Sequence, residues 1–114
     1  NRVSAQALND FDSGPVMLVT VAVCNNMRLP QDITCQIIDY QTLTYLYDKT
    51  FYNVPIQMCQ GDSRKILLKP NTTYLVNAGA NSNFRLIPIS LSSSQSTIIV
   101  EQDMATGTPT VRVL

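Results

Sequence analysis

Apolar and polar side chains alternate along this chain in short runs, and turn residues interrupt them about every 8–12 positions. The longest apolar run is residues 15–24, Pro-Val-Met-Leu-Val-Thr-Val-Ala-Val-Cys, broken only by Thr20. Its valines favour extended backbone because branching at Cβ restricts χ1. A run this short, bounded by turn residues, predicts a central strand covered on both faces or nearly so. It falls far below the ~18 apolar residues that span a bilayer. At roughly 1.5–3 kcal/mol per buried Val or Leu, it contributes on the order of 10 kcal/mol before chain entropy is set against it.

Further strands follow by the same alternation. Residues 33–40 place Ile33, Cys35 and Ile37 on one face and Ile38 and Tyr40 on the other. Residues 43–47 put Leu43, Tyr45 and Tyr47 together. Asp48, Lys49 and Thr50 read as a break, after which residues 51–59 resume as an edge or irregular strand, since Pro55 cannot donate to a ladder. A turn at Gly61 leads to a short strand at 65–68 and a type I turn at Lys69-Pro70-Asn71-Thr72. Residues 73–78 alternate with Tyr74, Val76 and Ala78 on one side. Residues 84–91 form an edge strand or bulge at Pro88, and strands at 97–102 and 110–113 close the chain.

No stretch of useful length carries a helical period. The expected fold is all-β, a small β-sandwich of about eight strands, transthyretin-like or immunoglobulin-like, occupying residues 15–114 as one domain, with a small barrel as the alternative. Residues 1–14 hold only Val3, Leu8 and Phe11 as large apolar side chains. These are too few to offset a backbone ordering cost of roughly 1–2 kcal/mol per residue, so a flexible lead-in or tether is expected there. No internal repeat and no linker is read.

Composition narrows the function classes. Of 114 residues, 45% are hydrophobic, enough for a core, and only 14% are charged. Eight basic and eight acidic side chains cancel and are scattered, so no electrostatic stripe exists to hold nucleic acid or an anionic membrane. The absence of histidine removes the ordinary Ser-His-Asp and Cys-His nucleophiles and most zinc sites. Gly14, Gly61, Gly79 and Gly107 are too far apart to form a phosphate loop. Asp10 and Asp12 read as solvated carboxylates rather than a calcium site, and nothing singles out a carboxylate pair for glycoside chemistry. The expectation is a protein that is not an enzyme and needs no cofactor or metal.

Cys24, Cys35 and Cys59 allow three pairings. Cys35–Cys59 is the expected disulfide, because both close strand-like segments while Cys24 reads as a small buried hydrophobe in the central strand. A disulfide, the low charge and an opening at Asn1 without an initiator Met point to export and to a processed chain. Tyr40, Tyr45, Tyr47, Phe51 and Tyr52 put five of the eight aromatics into thirteen residues. Tyrosine supplies rigid contact area with a polar tip, so Tyr45, Tyr47, Asp48 and Lys49 are expected to form a partner-binding hairpin tip. The alternative is that these rings simply cover one face of a strand. Asn71-Thr72-Thr73 is a glycosylation sequon on a turn, which matters only in a secreted eukaryotic chain.

The order of elements resembles the small outer-membrane lipoprotein of type VI secretion systems. The resemblance is carried by Pro15-Val16-Met17-Leu18-Val19, Leu43-Thr44-Tyr45-Leu46-Tyr47-Asp48, Leu67-Leu68-Lys69-Pro70-Asn71 and the closing Ile98-Ile99-Val100 and Val111-Arg112-Val113. The chain departs from that pattern in its three cysteines, its lack of Trp, Asn71 where Gly is usual and a short stretch before the Tyr segment. The resemblance implies a transthyretin-like sandwich hung by a lipid from the periplasmic face of the outer membrane, docking a larger envelope protein. Two other readings stand beside it. One is an extracellular structural or adhesive subunit, pilin-like or viral, although residues 1–14 lack the alternation of a donor strand. The other is an inhibitor or carbohydrate-binding domain, for which no Trp platform is present.

Overall fold

The computed structural model describes residues 15–114. The expected tether at residues 1–14 lies outside them. Nine strands follow in chain order: β1 Met17–Cys24, β2 Gln31–Asp39, β3 Tyr45–Val54, β4 Cys59–Gly61, β5 Ile66–Leu68, β6 Tyr74–Ala80, β7 Asn83–Ile89, β8 Thr97–Gln102 and β9 Pro109–Val113. They form two packed sheets, a β-sandwich. One sheet runs β4-β1-β8-β9, with β5 also paired to β1, and the other runs β3-β2-β6-β7.

β1 is the central strand of the five-stranded sheet. It pairs in parallel with β8 along one side, with Val21 opposite Ile98 and Val23 opposite Val100. Along its other side lie β5 and then β4, both antiparallel. The expected burial on both faces is corrected. Val19, Val21 and Val23 are fully buried between the sheets, whereas Leu18 and its cross-strand partner Leu67 are exposed. One face packs on the core and the other meets solvent, as is common in antiparallel sheets.

The core draws one alternating row from each long strand: Ile33, Cys35 and Ile37 of β2, Tyr74, Val76 and Ala78 of β6, Ile98 and Val100 of β8. The expected break at Asp48, Lys49 and Thr50 does not occur, because β3 runs unbroken through them. The period of two continues from Tyr47 through Lys49 to Phe51. Lys49 hides it by placing a cation in the inward row at the rim. Two register shifts between β2 and β3 turn Tyr45 outward and Val54 inward. Leu43, Tyr45 and Tyr47 therefore do not share a face: only Tyr47 is buried.

The turn at residues 69–72 is also different from the expectation. Asn71 has φ 55°, which suits the third position of a type II turn rather than type I. Pro88 does sit in an edge strand, β7, and Pro55 directly follows edge strand β3, where a missing N–H costs no ladder bond.

Candidate functional site

The end of the sandwich beyond β2 is closed by the β2–β3 hairpin loop, Asp39-Tyr40-Gln41-Thr42-Leu43-Thr44. Asp39 Oδ1 accepts the N–H groups of Gln41 at 2.9 Å and Thr42 at 3.1 Å. The Thr42 hydroxyl donates to Thr44 Oγ1 at 2.9 Å and accepts the Thr44 N–H at 3.3 Å. Backbone bonds run from Leu43 N–H to Asp39 O at 2.8 Å and from Asp39 N–H to Thr44 O at 2.9 Å. The short side chains of Asp and Thr thus satisfy the loop's own backbone.

The β8–β9 loop, Asp103-Met104-Ala105-Thr106-Gly107-Thr108, repeats every one of these bonds. Asp103 Oδ1 accepts from Ala105 and Thr106, Thr106 bonds Thr108 twice, Gly107 N–H donates to Asp103 O, and Asp103 N–H donates to Thr108 O. The reading that the chain holds no repeat is corrected at this scale: Asp-x-x-Thr-x-Thr occurs twice. Both loops need positive φ at their fifth position, 74° at Gly107 and 59° at Leu43. Glycine adopts this freely, whereas a left-handed leucine carries a strain of roughly 1–2 kcal/mol. The other described non-glycine residues with positive φ are three asparagines and Gln57, and asparagine tolerates the region.

Leu43 gains no burial in exchange. It is 63% exposed, and Tyr40 and Tyr45 beside it are 56% and 59% exposed. A cleft of about 480 Å³ lies against Tyr40, lined also by Gln41, Lys69, Thr72 and Tyr74. Three large apolar side chains therefore stand in solvent around a loop whose backbone is held by its own hydrogen bonds.

The structure separates the four residues expected to bind a partner. Tyr45 and Asp48 are exposed, Tyr45 at the tip and Asp48 further along β3. Tyr47 is buried, which assigns its ring to the core rather than to a surface. Its hydroxyl donates to Asp62 Oδ2 at 2.6 Å. Lys49 Nζ lies 3.3 Å from Asp62 Oδ1 and 4.8 Å from the centre of the Phe51 ring, while the Arg64 guanidinium sits 5.5 Å from the Tyr47 ring centre.

Asp62 was not singled out by sequence, and its position explains why. Between Ala22↔Gly61 and Val19↔Ile66, residues 62–65 stand opposite only Thr20 and Val21. This bulge swings Asp62 inward, the usual effect of extra residues in one strand. The Tyr47 hydroxyl, with the Arg64 N–H and the Lys49 ammonium, holds the Asp62 carboxyl below its usual range, while burial opposes them. Burial, and then the bond to that carboxylate, pushes the Tyr47 phenol well above its ordinary value. Tyr47, Lys49 and Asp62 clasp β3 to the β4–β5 flank of the other sheet.

The expected Cys35–Cys59 disulfide is corrected to Cys24–Cys59. Asn25 N–H donates to Met58 O and Asp62 N–H to Val21 O, so the 24/59 pair between them is a non-hydrogen-bonded one. Side chains at such pairs approach most closely. Cys35 belongs to the inward row of β2 in the other sheet and is fully buried as a free thiol. Burial first, and then the charge of Asp48, pushes that thiol up to about 12, which makes it inert as a nucleophile at neutral pH. Among the described residues no group of three or more Cys, Asp or Glu is placed to hold a metal ion. In comparison with known proteins, no family model and no curated sequence matches this chain.

Proposed function

We propose that this domain is a non-enzymatic interaction module of an exported envelope or surface assembly, and that it engages a protein partner through the β2–β3 tip formed by Tyr40, Leu43 and Tyr45. The observation that carries the reading is the leucine at a position where the twin loop has glycine. A strained backbone conformation persists where something other than local stability favours it, and functional surfaces are where such strain collects. Exposed aromatic and aliphatic anchors beside a polar rim are the usual centre of a protein interface. The Cys24–Cys59 bond supports an oxidising compartment. In the lipoprotein form of the reading, membrane contact is through a lipid upstream of Asn1, and the tip projects from the anchored sandwich toward its partner.

A photo-crosslinking amino acid placed at Tyr45 in the native cell tests the proposal. A discrete adduct of higher mass is expected. Crosslinking from Tyr45 no stronger than from exposed Arg112 on β9 would count against it.

A further inference from the structure

We propose that the end of the sandwich opposite the β2–β3 tip holds a binding site for a neutral sugar ring, built around the side chain of Gln102. The site is separate from the tip, so it goes beyond the partner-binding reading and stands or falls without it.

Gln102 ends β8 and continues the inward row of Ile98 and Val100, so the pleat points its carboxamide between the two sheets. It is only 3% exposed, and its Oε1 is buried with no hydrogen-bond donor among the described residues. The large majority of buried side-chain oxygens have a partner. The neighbouring donors spend their hydrogens elsewhere. Asn26 Nδ2 donates to the Gln102 main-chain carbonyl at 3.1 Å, Asn81 Nδ2 to Gln31 Oε1 at 3.1 Å, and the Thr106 hydroxyl to Thr108 Oγ1 at 2.8 Å. An apolar side chain of similar length would spare the fold an unmet oxygen, so packing does not account for a glutamine here.

A cleft of about 220 Å³ opens at this point, with Gln102 and Thr106 of one sheet facing Gln31, Asn81, Ser82 and Asn83 of the other. Gly107 lines it too, and a Cβ added there would meet both Asn83 Nδ2 and Met27 Cε at 3.5 Å, each belonging to the lining. The twin loop carries Leu43 at this position. Glycine at 107 leaves the space between the loops open.

The lining decides the class of ligand. It contains no Asp, Glu, Lys or Arg, so it offers neither a carboxylate to a cation nor a counter-charge to an anion. Arg28, Asp32 and Asp103 adjoin lining residues in sequence without joining them; they keep their charges, which are of mixed sign. The groups that do line the cleft are carboxamides and hydroxyls. Gln102 Oε1 and Asn81 Oδ1 accept, while Asn83 Nδ2 and the Ser82 hydroxyl donate. Each hydroxyl of a sugar does both, so one ring answers several of these groups at once, and a hydroxyl donating to Gln102 Oε1 supplies the bond that this atom lacks. No aromatic ring lines the cleft, so recognition rests on hydrogen bonds and a millimolar affinity is expected.

Amide NMR titration of the full chain with glucose, galactose and N-acetylglucosamine tests this, with glucosamine and glucuronate as charged controls. At least one neutral sugar should give saturable shifts centred on the Gln102 side-chain amide and the backbone of residues 81–83 and 106–107, and the charged sugars should bind more weakly. Gln102→Met keeps the length and removes the unmet oxygen, so it should unfold at the same urea concentration as the wild type or higher, yet bind at least tenfold more weakly. Asn83→Ala, at an exposed position, should weaken binding as much and keeps the test open if Gln102→Met does not fold. No saturable shift from any of the three neutral sugars would overturn the proposal, as would undiminished binding in a folded Gln102→Met or in Asn83→Ala. Equal binding of a charged sugar would overturn the ligand class. A Gln102→Met protein that is less stable, beside a wild type that ignores sugar, would assign the amide to the fold. None of these results bears on the crosslink from Tyr45, so the tip is judged separately.

Discussion

Leu43 and Gly107 occupy the same place in two loops with the same hydrogen bonds, one a leucine at φ 59° and the other a glycine at φ 74°. Exchanging them therefore has opposite expected signs. Leu43→Gly relieves a left-handed strain of roughly 1–2 kcal/mol and adds roughly 0.4–1 kcal/mol of unfolded-state entropy. A net gain of about 0.5–1 kcal/mol is expected. Gly107→Leu should lose a similar amount, since a Cβ there meets Asn83 Nδ2 and Met27 Cε at an ordinary 3.5 Å. Urea unfolding of both variants checks the pair, and a loss of stability in Leu43→Gly would show that the leucine serves the fold.

The Tyr47–Asp62 bond makes part of the stability depend on pH. Asp62 has its folded pKa lowered, chiefly by the Tyr47 hydroxyl. Its contribution is thus present above the unfolded carboxylate value of about 3.9 and lost as pH falls through the lower folded value. Tyr47 has its folded pKa raised, so its contribution is present below about pH 10 and lost above it. Tyr47→Phe leaves a buried carboxylate short of its strongest donor and should cost on the order of 1–3 kcal/mol at neutral pH. Unfolding midpoints of Tyr47→Phe and the wild type, measured from neutral to acid pH, should converge as Asp62 protonates. A constant gap would assign the loss to packing alone.

Reduction of Cys24–Cys59 opens a loop between residues 35 apart in sequence. The chain-entropy model puts its contribution at ~4 kcal/mol. Thiol counting should find one reactive cysteine in denaturant without reductant, none in the native protein, and three after reduction and unfolding. Peptide mapping should place the single thiol at Cys35, and a label on Cys24 or Cys59 would refute the pairing.

Asn25 joins the end of β1 to the loop between β1 and β2 and to the end of β3. Asn25→Ala strands the carbonyls of Leu29 and Val54 and leaves a cavity, with an expected loss of about 2–3 kcal/mol. Hydrogen exchange should show the damage concentrated at residues 25–30. Uniform protection across that loop in the variant would show that its conformation does not depend on the amide.

The sandwich was legible because alternation survives wherever apolar residues mark it, as in Ile33-Cys35-Ile37 and Tyr74-Val76-Ala78. It failed at Lys49, where the inward row carries a cation between Tyr47 and Phe51, whose partner, Asp62, is set by a bulge that periodicity does not reveal. The disulfide was illegible for a related reason. Which cysteines face each other depends on β1–β4 register, and β4 is only three residues long. The tip was half legible: aromatic density pointed to Tyr45, but Tyr47 two residues away turns inward. Leu43 acquires its meaning only beside Gly107. The motif Asp-x-x-Thr-x-Thr was present to be read twice, yet its identity as one loop lies in its hydrogen bonds.

The central claim is that the tip's side chains serve binding and not folding, and equilibrium urea unfolding of the triple variant Tyr40→Ser, Leu43→Gly, Tyr45→Ser tests it most directly. With all three exposed and one strained, the free energy of unfolding should stay within about 0.5 kcal/mol of the wild type, as for ordinary surface changes, or rise above it. A loss of about 2 kcal/mol or more, the range of a core truncation, would place these side chains in the structural core and contradict the account.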